Sequence, residues 1–240
     1  MKLLEEYKTD RNVWEENYDS VNLRSDVLVS DRVLKLLGNV SGKNILDIGC
    51  GNGKFARKLA QGGAKVFAID AIPEQIEFAK KIEGEKKQSI NYLVGNIQEL
   101  NKINFPIENF DIVISLMTHL YLSKNDFIDS FKIVAEKINK KGRFIYGSIH
   151  PARIFLYERQ NYFESQLLKT ELPTLSGKIF TTQFYHHPMN VVINSILNSG
   201  FKIQKIYEPR PDVKEIKKYP TLLSVDNESP QYIIIDSIKK

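Results

Sequence analysis

Residues 45–55 read ILDIGCGNGKF, and this stretch decides the fold expected for the whole chain. A short apolar run with an acid, three glycines at alternate positions and a helix-compatible continuation predict a strand, a tight turn and a helix start. Gly49, Gly51 and Gly53 lack a Cβ, so the backbone can turn with positive φ and approach a ligand closely. The free N–H groups at the start of the following helix would point at that ligand.

A second apolar run, at 66–69, ends in Asp70, about 20 residues after the first glycine of the turn. A carboxylate in that place can accept hydrogen bonds from both ribose hydroxyls of a nucleoside. The stretch 44–70 as a whole therefore predicts a cofactor that contains a nucleoside. The plainer alternative is a tight turn in an ordinary α/β domain.

Two classes of cofactor fit this arrangement, and the spacing of the glycines separates them. The dinucleotide pattern G-x-G-x-x-G would need its third glycine where this chain has Lys54. The form present, D-x-G-x-G-x-G with Asp47 at the strand end, resembles motif I of the S-adenosylmethionine-dependent methyltransferases with a Rossmann-like fold. The resemblance covers nearly the whole chain and is strongest at 43–147. An NAD-dependent oxidoreductase is the alternative that the glycine spacing disfavours.

The rest of the chain alternates between apolar runs and helical patterns, which predicts an α/β fold on a parallel sheet. Strands are expected at 45–48, 66–70, 90–94, 110–115, 143–148, 201–207 and 231–238, and helices at 25–37, 54–61, from 73, 127–138 and 189–198. The last two strands have no predicted helix between them and should pair antiparallel. The resemblance implies a seven-stranded, mostly parallel sheet with helices on both faces and a C-terminal antiparallel hairpin.

We expect a single methyltransferase domain over 1–240. Its parts are N-terminal helices or a lid at 1–40, a cofactor-binding core at 41–149, a lid-like insertion at 150–187, and a C-terminal helix and hairpin at 188–240. In the insertion, regular periodicity is lost and aromatic residues accumulate, which favours a cover over the site, a small satellite core, or both. In the first part, Tyr18 either clamps its segment onto the core or covers the cofactor.

The resemblance also assigns cofactor-binding roles to residues that follow the first four strands. It implies that Asp47 and the three glycines wrap the methionine moiety, that Asp70 takes the ribose and that Ile72 lies against the adenine. Asn96 stands where family members often have Asp, and its amide carbonyl keeps an acceptor for the adenine amino group. The full set expected to bind S-adenosylmethionine, or its product S-adenosylhomocysteine, is Tyr18, Asp47, Gly49, Cys50, Gly51, Gly53, Asp70, Ala71, Ile72, Asn96, Ile97 and Leu116.

Three further stretches resemble the branch of these enzymes that acts on small molecules: SLMTHL at 115–120, YHHP at 185–188 and EPRP at 208–211. The N-P-P-Y-like motif of amino-methylating enzymes and the Pro-Cys motif of cytosine C5 enzymes are both missing from the sequence. We therefore expect methyl transfer to an O or N atom of a small molecule. The alternatives are a nucleic-acid methyltransferase and a non-catalytic protein that binds S-adenosylmethionine.

Histidines are the candidate general bases, since methyl transfer needs a base only where the nucleophile loses a proton. Three of the four histidines, at 119, 150, 186 and 187, fall at loop positions beside strand ends, and imidazole titrates close to neutral pH. His119, His186 and His187 are the favoured candidates. The alternative role for each is to satisfy backbone groups at the end of a strand.

The composition, with 42% hydrophobic and 26% charged residues, is ordinary for a soluble globular protein. Lysine and arginine outnumber aspartate and glutamate 34 to 29, but the excess is scattered, so a nucleic-acid partner is not expected. A single cysteine, Cys50, excludes an internal disulfide and a cysteine metal site. The sequence lacks the pattern of a signal peptide or a membrane span, so we expect a cytoplasmic monomer or homodimer with no membrane contact.

Overall fold

The computed structural model describes residues 23–86, 90–153, 161–173, 179–223 and 228–240, which form a seven-stranded main sheet and a separate two-stranded sheet. The strands are β1 (Asn44–Ile48), β2 (Lys65–Asp70), β3 (Asn91–Val94), β4 (Phe110–Leu116), β5 (Ile138–Ile149), β6 (Gln166–Pro173), β7 (Ile179–His186), β8 (Phe201–Tyr207) and β9 (Tyr232–Lys239). The helices are α1 (Asp31–Leu37), α2 (Lys54–Gln61), α3 (Pro73–Lys86), α4 (Lys124–Glu136), α5 (Met189–Asn198), α6 (Val213–Lys218) and α7 (Pro220–Leu223). A π-helical turn, Asp26–Ser30, leads into α1, and two 3-10 turns lie at Ile97–Lys102 and His119–Tyr121. None of the helices in these ranges is long and apolar enough to cross a membrane.

The order of strands in the main sheet is β3-β2-β1-β4-β5-β9-β8. Strands β1 to β5 run parallel, and β9 is antiparallel to both of its neighbours, β5 and β8. The chain moves outward from β1 to β3 and then returns to place β4 on the other side of β1. Ligands of open α/β sheets bind at such a switch point, outside the carboxyl ends of the strands.

Two apolar layers cover the two faces of this sheet, because successive strand side chains point to opposite faces. On β1, Ile45 belongs to the layer that includes Val33 of α1 and Ala56 of α2. Its neighbour Leu46 belongs to the other layer, with Phe127 and Phe131 of α4. Strands buried on both faces explain the near-continuous apolar runs of the sequence.

The predicted seven-stranded sheet, with its mostly parallel strands and antiparallel C-terminal pair, is confirmed. Two local expectations were wrong. The insertion is not wholly irregular, because β6 and β7 pair antiparallel within it. The connection from β8 to β9 is not free of helix either, since α6 and α7 lie there.

A capping box explains why α6 forms. The Asp212 side chain accepts from the Glu215 N–H, the Glu215 side chain accepts from the Asp212 N–H, and both distances are 2.8 Å. Arg32 of α1 donates to both carboxylate oxygens of Glu215, at 2.8 and 2.6 Å. This bidentate ion pair ties α6 to the helix that precedes the glycine turn.

Candidate active site

A cavity of about 580 Å³ opens at the carboxyl ends of β1, β2, β3 and β4. This volume lies within the range typical of small-ligand and cofactor sites. Ten of the predicted cofactor-binding residues line it: Asp47, Gly49, Cys50, Gly51, Asp70, Ala71, Ile72, Asn96, Ile97 and Leu116. Gly53 is not part of the wall and instead begins α2, while Tyr18 lies outside the described residues.

The glycine turn is fastened to the end of β2. The N–H groups of Gly49 and Cys50 both donate to the Ile69 carbonyl, at 2.8 and 2.9 Å. Gly49, Gly51 and Gly53 have φ values of 72°, 54° and 76°, which are unfavourable for residues with a Cβ. The alternate glycines of the sequence are therefore required by the backbone path around the cavity.

The Asp70 side chain also stabilises the glycine turn through hydrogen bonds. Its Oδ2 accepts from the Gly51 N–H and its Oδ1 accepts from the Ile72 N–H, each at 2.9 Å. Burial raises the pKa of the Asp70 carboxyl, although the hydrogen bonds from Ile72 and Gly51 act in the opposite direction. Each carboxylate oxygen has further acceptor capacity, so the group can also take hydroxyl donors from a ligand in the cavity.

Asp47 is the most unusual polar group of the site. Its side chain is 3% exposed, and its Oδ2 has no hydrogen-bond partner within the part of the chain that the structure describes. Burial, and then the nearby Asp70, raise the pKa of its carboxyl to about 7. A buried carboxylate with an unpartnered oxygen at a cavity wall suits a ligand that brings a positive charge to it.

The wall beyond β3 contains Asn96, Ile97 and Gln98. The Asn96 Oδ1 caps the 3-10 turn by accepting from the Gln98 N–H at 3.0 Å. The carbonyl expected to face an adenine amino group thus already makes one hydrogen bond and keeps one lone pair for a second.

The two-stranded sheet supplies part of the cavity wall with Leu167, Gln183 and Tyr185. Leu167 pairs directly with Tyr185 across β6 and β7, so these side chains share one face. The other face carries Leu168 and Phe184, which pack around Leu120. The period-two alternation of this hairpin therefore separates a cavity face from a packing face.

An ion pair between Lys54 and Asp26 forms part of the cavity wall. The Lys54 Nζ lies 2.6 Å from Asp26 Oδ2, and both residues line the cavity together with Ser25 and Ser30. The pair joins the π-helical turn to the first residue of α2. No local pattern in the sequence could have indicated this pair, since the two residues are 28 positions apart.

The three histidines predicted as bases are not among the residues that line this cavity. His119 is buried, its Nδ1 lies 2.8 Å from the Ser115 Oγ, and its ring is 4.6 Å from that of Phe131. His187 lies within 3.1 Å of both the Ser165 Oγ and the Leu122 carbonyl, and the His186 Nε2 lies 2.8 Å from the Tyr162 carbonyl. A catalytic role for any of them stays a prediction, while the contacts observed are those of packed imidazoles.

Burial keeps two of these imidazoles neutral, which predicts that the fold loses stability in acid. Burial lowers the pKa of His119 to about 3 and that of His187 to about 4. Unfolded imidazoles bind protons near pH 6.5, so the unfolded state takes up more protons as the pH falls below that value. Each histidine should lower the free energy of unfolding by about 2 kcal/mol between pH 7 and pH 5. Urea unfolding at the two pH values measures the loss.

The variant His119→Phe isolates one of the two contributions. Asp47 acts in the opposite direction, because an acid with a raised pKa favours the folded state as the pH falls. The comparison is therefore the loss between pH 7 and pH 5 in each protein, and the variant should lose about 2 kcal/mol less. Equal losses in the two proteins would show that His119 does not titrate on unfolding.

The sequence of this chain matches one known protein family over part of its length. Residues 45–142 match the family described as a methyltransferase domain. This range begins within β1, contains the glycine turn and Asp70, and ends in β5.

Three curated relatives differ in how much of their length is shared. A Haemophilus influenzae protein named only as uncharacterized is 22% identical over 84% of this chain and 87% of its own length. Phosphoethanolamine N-methyltransferase 3 of Arabidopsis thaliana is 29% identical over 59% of this chain, and the ubiquinone biosynthesis O-methyltransferase of Rickettsia conorii is 40% identical over 34%. The matches span only 30% and 27% of the lengths of these two enzymes.

Two solved structures are similar over most of the chain. The S-adenosylmethionine-dependent methyltransferase of Mesorhizobium loti has a TM-score of 0.66 at 20% identity, over 87% of this chain and 96% of its own. Magnesium protoporphyrin IX methyltransferase of Synechocystis, with bound S-adenosylhomocysteine, has a TM-score of 0.64 at 16% identity, over 92% and 85% of the two chains. At these identities the likeness shows a shared fold.

Proposed function

We propose that this protein, whose residues 45–142 are a methyltransferase domain of the S-adenosylmethionine-dependent, Rossmann-like class, transfers a methyl group to an oxygen or nitrogen atom of a small molecule. The observation that carries the proposal is a pair of carboxylates, the buried Asp47 and the partly buried Asp70, that line one cavity beside the glycine turn. The Asp47 Oδ2 lacks a hydrogen-bond partner among the described residues, and the Asp70 carboxylate keeps free acceptor capacity.

The residues of the cavity fit S-adenosylmethionine in their chemistry. Asp70 would accept from the two ribose hydroxyls, and Ile72 with Ile97 would provide apolar contact for the adenine. Asp47 would face the cationic methionine end, whose positive charges compensate a buried carboxylate. The positive-φ glycines keep the backbone clear of side chains along the path between them.

The hairpin wall supports a small-molecule acceptor. Leu167 and Tyr185 present an apolar surface, and Gln183 adds an amide that can donate and accept hydrogen bonds. Because these side chains line the same cavity as the glycine turn, they would take part in enclosing an acceptor beside the cofactor. The names of the relatives, which give phosphoethanolamine and ubiquinone biosynthesis, also support an acceptor of low molecular weight.

The chemistry asked of the protein is mainly positioning. Bound S-adenosylmethionine would supply a methyl group already activated on a sulfonium. The chain would hold the acceptor in line for displacement and exclude water from the cavity. Among the described cavity residues there is no imidazole, which favours an acceptor that needs no histidine base.

The raised pKa of Asp47 predicts pH-dependent binding of the cofactor. Below pH 7 the free protein holds a proton on Asp47, and a cationic ligand must displace it. The affinity for S-adenosylmethionine should therefore rise about five- to tenfold between pH 6 and pH 7.5, as measured by isothermal titration calorimetry. Proton release on binding, detected in buffers of different ionisation enthalpy, should be largest at pH 6 and should fall as the pH rises towards 7.5.

Asp47→Asn is the matched variant for this titration, since it keeps the shape and removes the ionisable group. Its affinity should be lower and independent of pH in the same range. Adenosine lacks the methionine end and should bind the wild-type protein with little pH dependence. A pH dependence that persists in Asp47→Asn would assign the titration to another group.

Methyl transfer itself is tested with S-adenosylmethionine that carries a labelled methyl group. The label should pass to a compound in a low-molecular-weight metabolite pool and not to pools of RNA, DNA or protein. Label in a nucleic-acid pool would contradict the acceptor class. Label that stays on S-adenosylmethionine in every pool would point to a protein that binds the cofactor without using it.

A further inference from the structure

The loop that follows β4 has a strained backbone next to the cavity. Met117 has a φ of 56°, which is uncommon for a residue other than glycine, and it lines the cavity wall. Its N–H donates to the Gly147 carbonyl of β5 at 2.8 Å, so the strained residue is still attached to the sheet. Backbone strain of this kind persists only where surrounding contacts determine it.

The next residue, Thr118, makes those contacts. Its Oγ1 donates to the Ile48 carbonyl at 2.9 Å and lies 3.1 Å from the Leu116 carbonyl. Ile48 is the last residue of β1 and Leu116 is the last residue of β4. One hydroxyl therefore links the ends of the two strands between which the cavity opens.

Thr118 also fills the space beside the first glycine of the turn. A Cβ on Gly49 would overlap the Thr118 side chain, whose Oγ1, Cγ2 and Cβ are its three nearest atoms, all within 3.0 Å. On the other side, the Gly49 N–H is held by the Ile69 carbonyl of β2 at 2.8 Å. The turn is thus fixed from β2 by a backbone hydrogen bond and from β4 by a side chain.

We infer that Thr118 is a positioning residue, which holds the glycine turn in the shape that receives the methionine end of the cofactor. The inference rests on the proposed function. It explains why a strained Met117 precedes Thr118, since the turn of the chain at Met117 brings the Thr118 side chain back over Gly49. It also means that the loop that follows β4 and the glycine turn are ordered together.

The test is calorimetric titration of three proteins, the wild type, Thr118→Val and Thr118→Ser, with S-adenosylmethionine and separately with adenosine. Valine keeps the volume beside Gly49 and removes the hydroxyl, whereas serine keeps the hydroxyl. Thr118→Val should bind S-adenosylmethionine about tenfold more weakly, because the Ile48 carbonyl loses its donor and the turn loses its fixed position. Thr118→Ser should stay within about threefold of the wild type, and adenosine, which lacks the methionine end, should bind all three alike.

Ser130→Ala is the matched control for loss of a buried hydroxyl. The Ser130 Oγ donates to the Phe127 carbonyl inside α4 at 2.7 Å, and Ser130 does not line the cavity. Loss of the Ser130 hydroxyl should lower the free energy of unfolding and leave the affinity for both ligands unchanged. If Thr118→Val does not fold, Thr118→Ala replaces it in the same comparison with Thr118→Ser.

Each outcome decides the inference. The inference is supported if the variant without the hydroxyl binds S-adenosylmethionine more weakly but adenosine equally well, and if Thr118→Ser binds both nearly as the wild type does. The inference is overturned if the affinities for both ligands fall equally, or if the affinity for S-adenosylmethionine does not change. Thr118 would then be a structural residue only. A wild-type protein that binds adenosine but not S-adenosylmethionine overturns the proposed function first, and that result is visible before any variant is made.

Discussion

Replacement of Asp70 by alanine should lower the affinity for S-adenosylmethionine at least about 100-fold. Two ribose hydroxyls would lose a charged acceptor, and hydrogen bonds to charged groups contribute about 1.5–3 kcal/mol each. The same carboxylate accepts from the Gly51 and Ile72 N–H groups, so the turn around the ribose would also lose its support. Calorimetric titration of the variant and the wild type measures the loss.

Asp111→Ala is the control for removal of a carboxylate that serves the backbone. The Asp111 Oδ2 accepts from the Asn44 N–H at 2.9 Å, at the start of β1 and at the opposite end of the sheet from the cavity. This variant should lose stability and keep its affinity for the cofactor. If Asp70→Ala and Asp111→Ala lowered the affinity for S-adenosylmethionine to a similar extent, Asp70 would affect binding only by stabilising the fold.

Gly49→Ala should destabilise the fold and abolish cofactor binding. Alanine at a φ of 72° costs about 1–2 kcal/mol, and overlap of its Cβ with Thr118 adds about 1–3 kcal/mol of overpacking. To relieve the overlap, either the glycine turn or the loop after β4 must move, and both line the cavity. Urea unfolding measures the first effect, and calorimetric titration with S-adenosylmethionine measures the second.

Gly42→Ala separates backbone strain from steric overlap. Gly42 has a φ of 73°, almost the value at Gly49, but a Cβ there would meet no atom within 4 Å. Only the conformational cost should appear, about 1–2 kcal/mol, and cofactor binding should be unchanged. If the two variants lost the same stability, the contact between Gly49 and Thr118 would carry no energetic weight.

The main sheet and the part of the cavity wall around the glycine turn could be predicted because their signals are local. Apolar runs bounded by turn residues indicate strands of a parallel sheet, and the alternate glycines with Asp47 lie within one stretch. Asp70 follows at the end of the next apolar run. Such signals need no knowledge of which distant segments meet.

The parts that could not be predicted depend on contacts between distant segments. Thr118 is 70 residues from the carbonyl that its hydroxyl binds, and the wall of Leu167 and Tyr185 exists only once β6 and β7 pair. The adjacent leucines 167 and 168 hide the alternation of β6 in the sequence. His119 does follow a strand, as expected, but a short 3-10 turn directs its ring into the phenylalanine layer of α4.

The most direct test of the central claim is calorimetric titration of the wild-type protein with S-adenosylmethionine, S-adenosylhomocysteine and NAD in parallel. We expect binding of the first two with Kd values on the order of micromolar and no heat from NAD. Binding of NAD alone would contradict the assignment of the glycine turn, and with it the roles proposed for Asp47, Asp70 and Thr118.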